Sequence, residues 1–334
     1  MTAYVGIQGQ NILIVSSDPA NPIEGQIWYN STTNLLKGYQ FAAAVWSAGG
    51  NMNTTRQHMG SAGIQTSALA FGGQPGSAPY FTTATESYNG TSWSPAPSMN
   101  SARYNLGSSG TQTSAMGFGG YAPGSPPATR YVATSESYNG SSWTSTPSLN
   151  TARAGLRGAG DSNTASLAFG GNTAGPNPSY VASTESYNGS SWTSVNSMNT
   201  ARGYNAGLGT QTAALVVAGI GIPGTNTNAV ESWNGTSWTT VTAATTARSN
   251  LGGTGPNTAS IVFGGGTPTT TGATELYNGT SWTTSTPLTT ARSVLGDAGT
   301  QAAALAFGGN APPVTNATEE FTGASLATKT ITTS

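Results

Sequence analysis

A beat of Glu-x6-Trp-x9-Arg runs down the chain without slippage. Complete copies stand at Glu86/Trp93/Arg103, Glu136/Trp143/Arg153, Glu185/Trp192/Arg202, Glu231/Trp238/Arg248 and Glu275/Trp282/Arg292. A partial copy brackets them at each end, Trp46/Arg56 before and Glu319 with Leu326 in the Trp slot after. Counted Trp to Trp, the spacing is 44 to 50 residues. A period in that range marks a solenoid or propeller, in which each unit can bury its apolar face only against its neighbours.

Residues 103–147 serve as the type unit. Ser114-Ala115-Met116-Gly117-Phe118-Gly119-Gly120 is a short apolar run ended by paired glycines, the mark of a buried strand followed by a tight turn or close approach. Its counterparts end in Phe71-Gly72-Gly73, Phe169-Gly170-Gly171, Phe263-Gly264-Gly265 and Phe307-Gly308-Gly309, while Ala218 replaces the first glycine in the fourth unit. Glu136-Ser137-Tyr138-Asn139-Gly140-Ser141-Ser142-Trp143 reads as two strands joined through Asn-Gly, the dipeptide of the type I′ hairpin. Each unit thus predicts four short antiparallel strands, with no helical period. Apart from one extra residue between Arg153 and Gly170, length varies only between the second glycine and the Glu, in the connection from second to third strand. Three of these loops, 74–85, 121–135 and 172–184, are long and rich in Pro and aromatics.

The succession of apolar strand, Gly-Gly, Tyr and Trp resembles the kelch repeat of the galactose-oxidase-like propellers over about residues 41–334. One departure is Tyr-Asn where the kelch pattern often has an aromatic-Asp pair, and an Asn-Gly turn performs the same job. The resemblance implies an all-β fold: a six-bladed kelch-like β-propeller (41–334) behind a short N-terminal β-hairpin arm (1–40). It also implies that the first strand lines a central channel and that the second-to-third and fourth-to-first loops share one face. For closure, Glu319-Glu320-Phe321-Thr322-Gly323-Ala324-Ser325-Leu326 aligns with the Glu-to-Trp run, so the C-terminus is expected to supply the last outer strand. The Trp46 strand is its competitor.

Composition narrows the function. Charged residues make up 6% of the chain and the net charge is -1, which argues against a nucleic-acid surface, because phosphate contacts need clustered Lys and Arg. No apolar run reaches the length of a membrane-spanning helix, so membrane insertion is not expected. The start of the chain lacks a basic segment ahead of Ile12-Leu13-Ile14-Val15, so no signal peptide is expected. With no cysteine and His58 as the sole histidine, ligands for ordinary zinc, iron or copper sites are lacking, and the chain cannot supply the copper chemistry of galactose oxidase. No cofactor and no enzymatic activity are expected.

Six of eleven acidic and six of ten basic residues occupy the Glu and Arg slots. Paired Glu–Arg contacts within or between blades avoid uncompensated buried charge; the competing reading is a ring of Arg around an anion site. The tryptophans read as packing residues of the same frame. Gly219-Ile220-Gly221-Ile222-Pro223-Gly224 matches Gly-x-Gly-x-x-Gly, but a dinucleotide site needs that turn to open a helix, and here it lies in an inter-strand loop. The Asn-x-Ser/Thr sequences at Asn89, Asn139, Asn188, Asn234 and Asn278 all fall on hairpins and are explained by turn geometry.

Surface recognition remains. The long loops carry Tyr80, Phe81, Tyr121, Arg130, Tyr131, Asn177 and Tyr180, a set suited to sugar rings or flat protein surfaces; the plainer alternative is that these residues merely pin long loops down. Residues 18–39, with Asp18-Pro19, Gly25-Gln26-Ile27-Trp28-Tyr29-Asn30 and Leu35-Leu36-Lys37-Gly38-Tyr39, resemble a segment of bacteriophage tail and other virion structural proteins. That resemblance implies a tail fibre, spike or decoration protein, oligomeric in a particle, docked on other virion proteins through its arm and reading a host-surface glycan or protein. The alternative is a secreted bacterial adhesin or sugar-binding module. An intracellular kelch scaffold would bring a helical adaptor domain.

Overall fold

A computed structural model describes residues 12–78, 80–123, 130–174 and 179–331. It divides into two compact units, Met1–Val45 with Gly323–Ser334, and Trp46–Thr322.

The larger unit is all-β, and among the described residues its principal sheets number six. The second sheet typifies them: Gly107–Thr111, Ser114–Phe118, Ser135–Tyr138 and Trp143–Thr146 pair antiparallel in chain order. The first strands neighbour one another in a closed cycle, Gly60–Ile64, Gly107–Thr111, Arg157–Ser162, Ala206–Gly209, Gly252–Thr254, Gly296–Gly299 and back to Gly60–Ile64. This is a propeller-like arrangement. The second strand of each sheet is buried on both faces, as in Ala115 to Phe118, which is why it reads as an unbroken apolar run.

The core is distributed between sheets. Leu69 and Phe71 of the first sheet pack with Met99, Leu106, Tyr138 and Trp143. Each wedge is a frame Trp on an outer strand: Trp143 meets Phe71 at 4.8 Å, Trp192 meets Phe118 at 5.0 Å, and Trp238 meets Phe169 at 5.1 Å. The Trp143 indole N–H also donates to Thr85 Oγ1 at 3.2 Å, giving the buried donor a partner.

Two frame tryptophans take partners that the repeat alone does not suggest. Trp93 lies in the first complete copy of the motif, yet it wedges against the last sheet, 4.8 Å from Phe307, with its indole N–H on Thr318 Oγ1 at 3.0 Å. The cause is the closed cycle, which makes the first and last sheets neighbours. Trp282 has no phenylalanine to wedge against, because Val217 of the fourth sheet stands opposite Val230 where Phe118 stands opposite Ser135. It packs instead with Leu215, Val217 and Val230, and its own hairpin partner Tyr277 stacks on it at 4.7 Å. Val230 offers no hydroxyl, so the Trp282 indole donates to Thr242 O at 3.0 Å.

A second staple comes from the turn between first and second strands, where Gln112 Nε2 donates to Ala68 O (3.0 Å) and Tyr88 O (2.6 Å) of the preceding sheet. Gln65, Asn163, Gln211 and Gln301 repeat the gesture. At each Asn-Gly hairpin the Asn side chain closes the turn; Asn89 Oδ1 accepts from Thr91 N and Ser92 N, both at 2.9 Å.

The closure expected from the C-terminus is corrected. The outer strand of the last sheet is Val45–Ala48, next to Thr318–Thr322. Trp46 fills the wedge position, 4.9 Å from Phe263, with its indole N–H on Thr274 Oγ1 at 3.2 Å. Leu326 cannot fill that slot as an indole does; it stays 41% exposed. The C-terminal strand Ser325–Thr330 instead pairs antiparallel with Leu35–Ala42. In that smaller unit Leu35–Ala42 also pairs with Ile27–Asn30, which runs parallel to Leu13–Val15. The arm is therefore a four-stranded sheet and not a lone hairpin, and its residues extend past the boundary expected at residue 40. Asp18 ties it together, accepting from Trp28 Nε1, Asn30 Nδ2 and Lys37 Nζ at 3.0, 2.7 and 2.7 Å, contacts that hold its carboxyl down at about 2.

Candidate functional site

The frame charges are structural. Arg103 meets Glu136 at 2.9 Å, Arg153 meets Glu185 at 3.0 Å, and Arg56–Glu86, Arg202–Glu231, Arg248–Glu275 and Arg292–Glu319 make the same pair in the other sheets. The arginines are fully buried. Each Glu uses its second oxygen to accept a backbone N–H of the preceding turn, as Glu136 Oε2 does from Asn100 N at 2.7 Å. The arginines are thereby withdrawn from solvent, and none is free to hold an anion.

Two residues after each frame Arg the chain turns left-handed. The positions are His58, Asn105, Gly155, Tyr204, Asn250 and Val294, with φ between 53° and 63°. Their amides form a closed circle: Asn105 N donates to His58 O, Gly155 N to Asn105 O, Tyr204 N to Gly155 O, Asn250 N to Tyr204 O, Val294 N to Asn250 O, and His58 N to Val294 O, all at 2.7–2.9 Å. A β-branched residue such as Val294 adopts this conformation only where the surroundings over-determine it, and here the circle does so. It leaves a void of about 20 Å³ beneath, room for one water. Burial lowers the His58 imidazole to about 4, Arg157 adding to the effect and a hydrogen bond with Asn105 opposing it.

The aromatic loop residues gather on the outer side of this circle. Tyr121 and Tyr131 lie 4.7 Å apart with their hydroxyls 3.0 Å apart, and Asn172 Nδ2 donates to Tyr131 at 2.9 Å and Tyr121 at 3.3 Å. Tyr104 packs on Tyr121 and on Phe81, both at 5.2 Å, and His58 lies 5.8 Å from Tyr104. Tyr180 meets Tyr204 edge-on at 6.4 Å, and Tyr204 is hydrogen-bonded to Tyr121. Burial pushes the phenols of Tyr104, Tyr131, Tyr180 and Tyr204 up, so they stay neutral donors. Phe81, Tyr121, Tyr131 and Tyr180 are thus brought together, half-buried. Arg130 is exposed at the rim, close enough to influence Tyr104. Tyr80 is 58% exposed and has no ring partner among the described residues. Asn177 lies outside the described residues. Tyr104, Tyr204 and Asn172 complete the patch; sequence reasoning missed them because the first two sit beside frame arginines and not in the long loops.

Inside the circle of first strands is a cavity of about 460 Å³, reaching the turns between first and second strands at Thr111, Gln112 and Thr300. Its walls are mostly Gly, Ser, Ala and Thr, with Arg157, Asp297 and Asp161 as the charged residues. These charges lie outside the Glu and Arg slots, the one signal by which the sequence marks them. Among the described residues there is no cluster of three or more His, Asp or Glu placed to hold a metal, and no helix long and apolar enough to cross a membrane.

Fold and site together define an all-β, propeller-like protein with an aromatic face and an inner cavity. No protein-family model and no curated sequence matches the chain. Among solved structures it is similar to "Structure of YjhT", with a TM-score of 0.69 and 13% identity, covering 84% of this chain and 100% of that one. At that identity the likeness is one of fold. The neighbour is a bacterial protein and not a virion component, which corrects the phage reading: tail fibre, spike or decoration role, virion partners, assembly in a particle and virion localisation are set aside.

Proposed function

We propose that the chain is a six-bladed, kelch-like propeller serving as a non-enzymatic recognition module, an adhesin or sugar-binding domain that works through its aromatic face. The observation that carries this is the convergence of Phe81, Tyr104, Tyr121 and Tyr131 from three connections onto one patch, with Asn172 bonded to two of the phenols. Half-buried tyrosines held by their neighbours offer ring faces for the apolar side of a sugar and hydroxyls for its polar edge, with little entropy left to lose on binding. Exposed Tyr80 and Arg130 extend the patch at its rim. The six-bladed reading draws on the cycle of six first strands and the six-membered amide circle. The kelch reading draws on the Gly-Gly, Tyr and Trp positions.

A glycan array probed with labelled protein tests the reading. Specific binders are expected, with at least tenfold weaker binding after combined Phe81→Ala, Tyr121→Ala and Tyr131→Ala substitution at unchanged circular dichroism. An empty array, or binding untouched by the triple substitution, overturns it.

A further inference from the structure

The cavity inside the ring of first strands carries two charges that the frame does not explain. Arg157 occupies a register position filled by glycine in other sheets: it stands opposite Phe169 as Gly107 stands opposite Phe118 and Gly296 opposite Phe307. Asp297 stands one register further along, where the second sheet has Ser108 and the third Gly158. In the cyclic order of first strands the third and sixth are opposite one another, so the strands that carry Arg157 and Asp297 face each other across the cavity that both residues line.

Every frame arginine is paired with a glutamate, yet Arg157 and Asp297 form no ion pair within 4.0 Å. Each is held by neutral groups instead. Arg157 Nε donates to Asn205 O at 2.9 Å, and among the described residues its terminal Nη groups have no hydrogen-bond partner. Asp297 accepts from Ser61 Oγ at 3.0 Å and Gly253 N at 3.1 Å, which leaves a lone pair on each oxygen. Burial pushes the Asp297 carboxyl up, with Arg157 opposing only in part. The guanidinium and the carboxylate are therefore both under-compensated, and a neutral wall of Gly, Ser and Thr surrounds them. The remaining acid, Asp161, is exposed at the mouth.

We infer that this cavity is a binding site for a small zwitterion of amino-acid or dipeptide size, its carboxylate on the Arg157 guanidinium and its ammonium on the Asp297 carboxylate. A volume of about 460 Å³ lies in the range of small-molecule sites. A planar guanidinium with unused donors takes a carboxylate in paired hydrogen bonds. A plain anion would face Asp297 as well as Arg157, and a plain cation would face Arg157; only a ligand bearing both charges satisfies both walls. The Ser61 hydroxyl, already donating to Asp297, holds that carboxylate in place for the ammonium. The site is separate from the aromatic face and does not depend on it.

The test uses the whole chain. Thermal shift against the free amino acids and glycylglycine at millimolar concentration selects a ligand, and calorimetry then compares it with its N-acetylated and its amidated derivative. A one-to-one complex is expected, at least tenfold weaker for either derivative. Arg157→Gly and Asp297→Ser, which install residues of neighbouring units, should each weaken binding at least tenfold while the ligand-free melting temperature stays within a few degrees. Arg157→Gln and Asp297→Asn serve if either variant fails to fold. No shift with any of these zwitterions overturns the proposal. So does equal binding of the N-acetylated derivative, which would identify a simple anion site, or binding that survives loss of Arg157 or Asp297.

Discussion

Glu136 divides its oxygens between two tasks, one accepting from Arg103 at 2.9 Å and the other from the amide of Asn100 at 2.7 Å. Removing the carboxylate alone strands a fully buried guanidinium, which destabilises proteins by about 3–5 kcal/mol. Glu136→Ala should therefore lower the urea midpoint sharply. Glu136→Ala combined with Arg103→Met should recover part of the loss, because no uncompensated charge remains. The repeat exposes both slots, but not which Arg joins which Glu. Arg103 follows Glu86 in its own copy of the motif and yet pairs with Glu136, because the Arg opens the next sheet. His58 yields a prediction of opposite chemistry. The unfolded chain protonates His58 as pH falls through about 6.5, whereas the native imidazole resists until about 4. Stability contributed by His58 is thus present above pH 6.5 and drains away as pH falls toward 4, by up to about 3 kcal/mol. Asp297, whose carboxyl is pushed up, acts in the other direction near its own titration, so a difference measurement is needed. His58→Asn keeps a residue type that tolerates left-handed backbone, as Asn105 and Asn250 do in the same circle. Urea midpoints at pH 7 and pH 4.5 should move less for the variant than for the parent.

At the scale of the element, the turn between first and second strands does more than reverse the chain. Gly110 has φ of 104°, and a Cβ there would come within 2.1 Å of Ser114 O, so only glycine keeps the ladder from Gly107 to Thr111 in register. Gln112, at the tip, then covers two carbonyls of the preceding sheet. Gln112→Ala leaves both without that donor and should lower stability by about 1–3 kcal/mol, seen as a fall in melting temperature, while the exposed Thr91 of the adjacent Asn-Gly hairpin should tolerate Ala with almost no change. Within the repeat units strand existence was legible, since apolar runs, Gly-Gly and Asn-Gly are local signals with local causes. The fourth sheet shows the limit: Ala218 takes the glycine slot at φ 60°, and its second and third strands run on as Ala214–Gly221 and Thr225–Trp233. The same sheet lacks the phenylalanine that other wedges use, so the position of Trp282 was legible but its partners were not. The amide circle was invisible in sequence, because His58, Asn105, Gly155, Tyr204, Asn250 and Val294 share a backbone conformation and no side-chain chemistry. For the same reason the aromatic patch was only half legible: its loop members announce themselves, and Tyr104 and Tyr204 do not.

At the scale of the whole molecule, the decisive question is which end of the chain supplies the last outer strand. Alignment favoured Leu326, since the run from Glu319 matches the repeat position by position, but alignment carries no measure of how well a residue wedges between sheets. Trp46 is 2% exposed and packs against both Phe263 and Phe321, at 4.9 and 5.1 Å. It joins strands more than two hundred positions apart in the chain, its indole donating to Thr274 across a separation of 228 residues. Trp93 makes the next contact around the cycle, between the first and last sheets, its indole reaching Thr318 across 225 residues. A ring closed by one strand drawn from the far end of the chain is held by that strand as by a clasp, so removing its wedge should weaken the whole cycle and not one sheet. Trp46→Ala is expected to destabilise by about 3–5 kcal/mol, the range for truncating a large buried aromatic, and to lower the single cooperative transition of the larger unit. Leu326→Ala, at a position 41% exposed, should change that transition by less than about 1 kcal/mol. Hydrogen exchange supplies the spatial readout: in Trp46→Ala the amides of Gly252–Thr254 and Gly296–Gly299, the first strands of the two sheets that Trp46 wedges together, should lose protection ahead of those of Arg157–Ser162 across the ring. Equal effects of the two substitutions, or loss of protection confined to Ser325–Thr330, would return the closing role to the C-terminus.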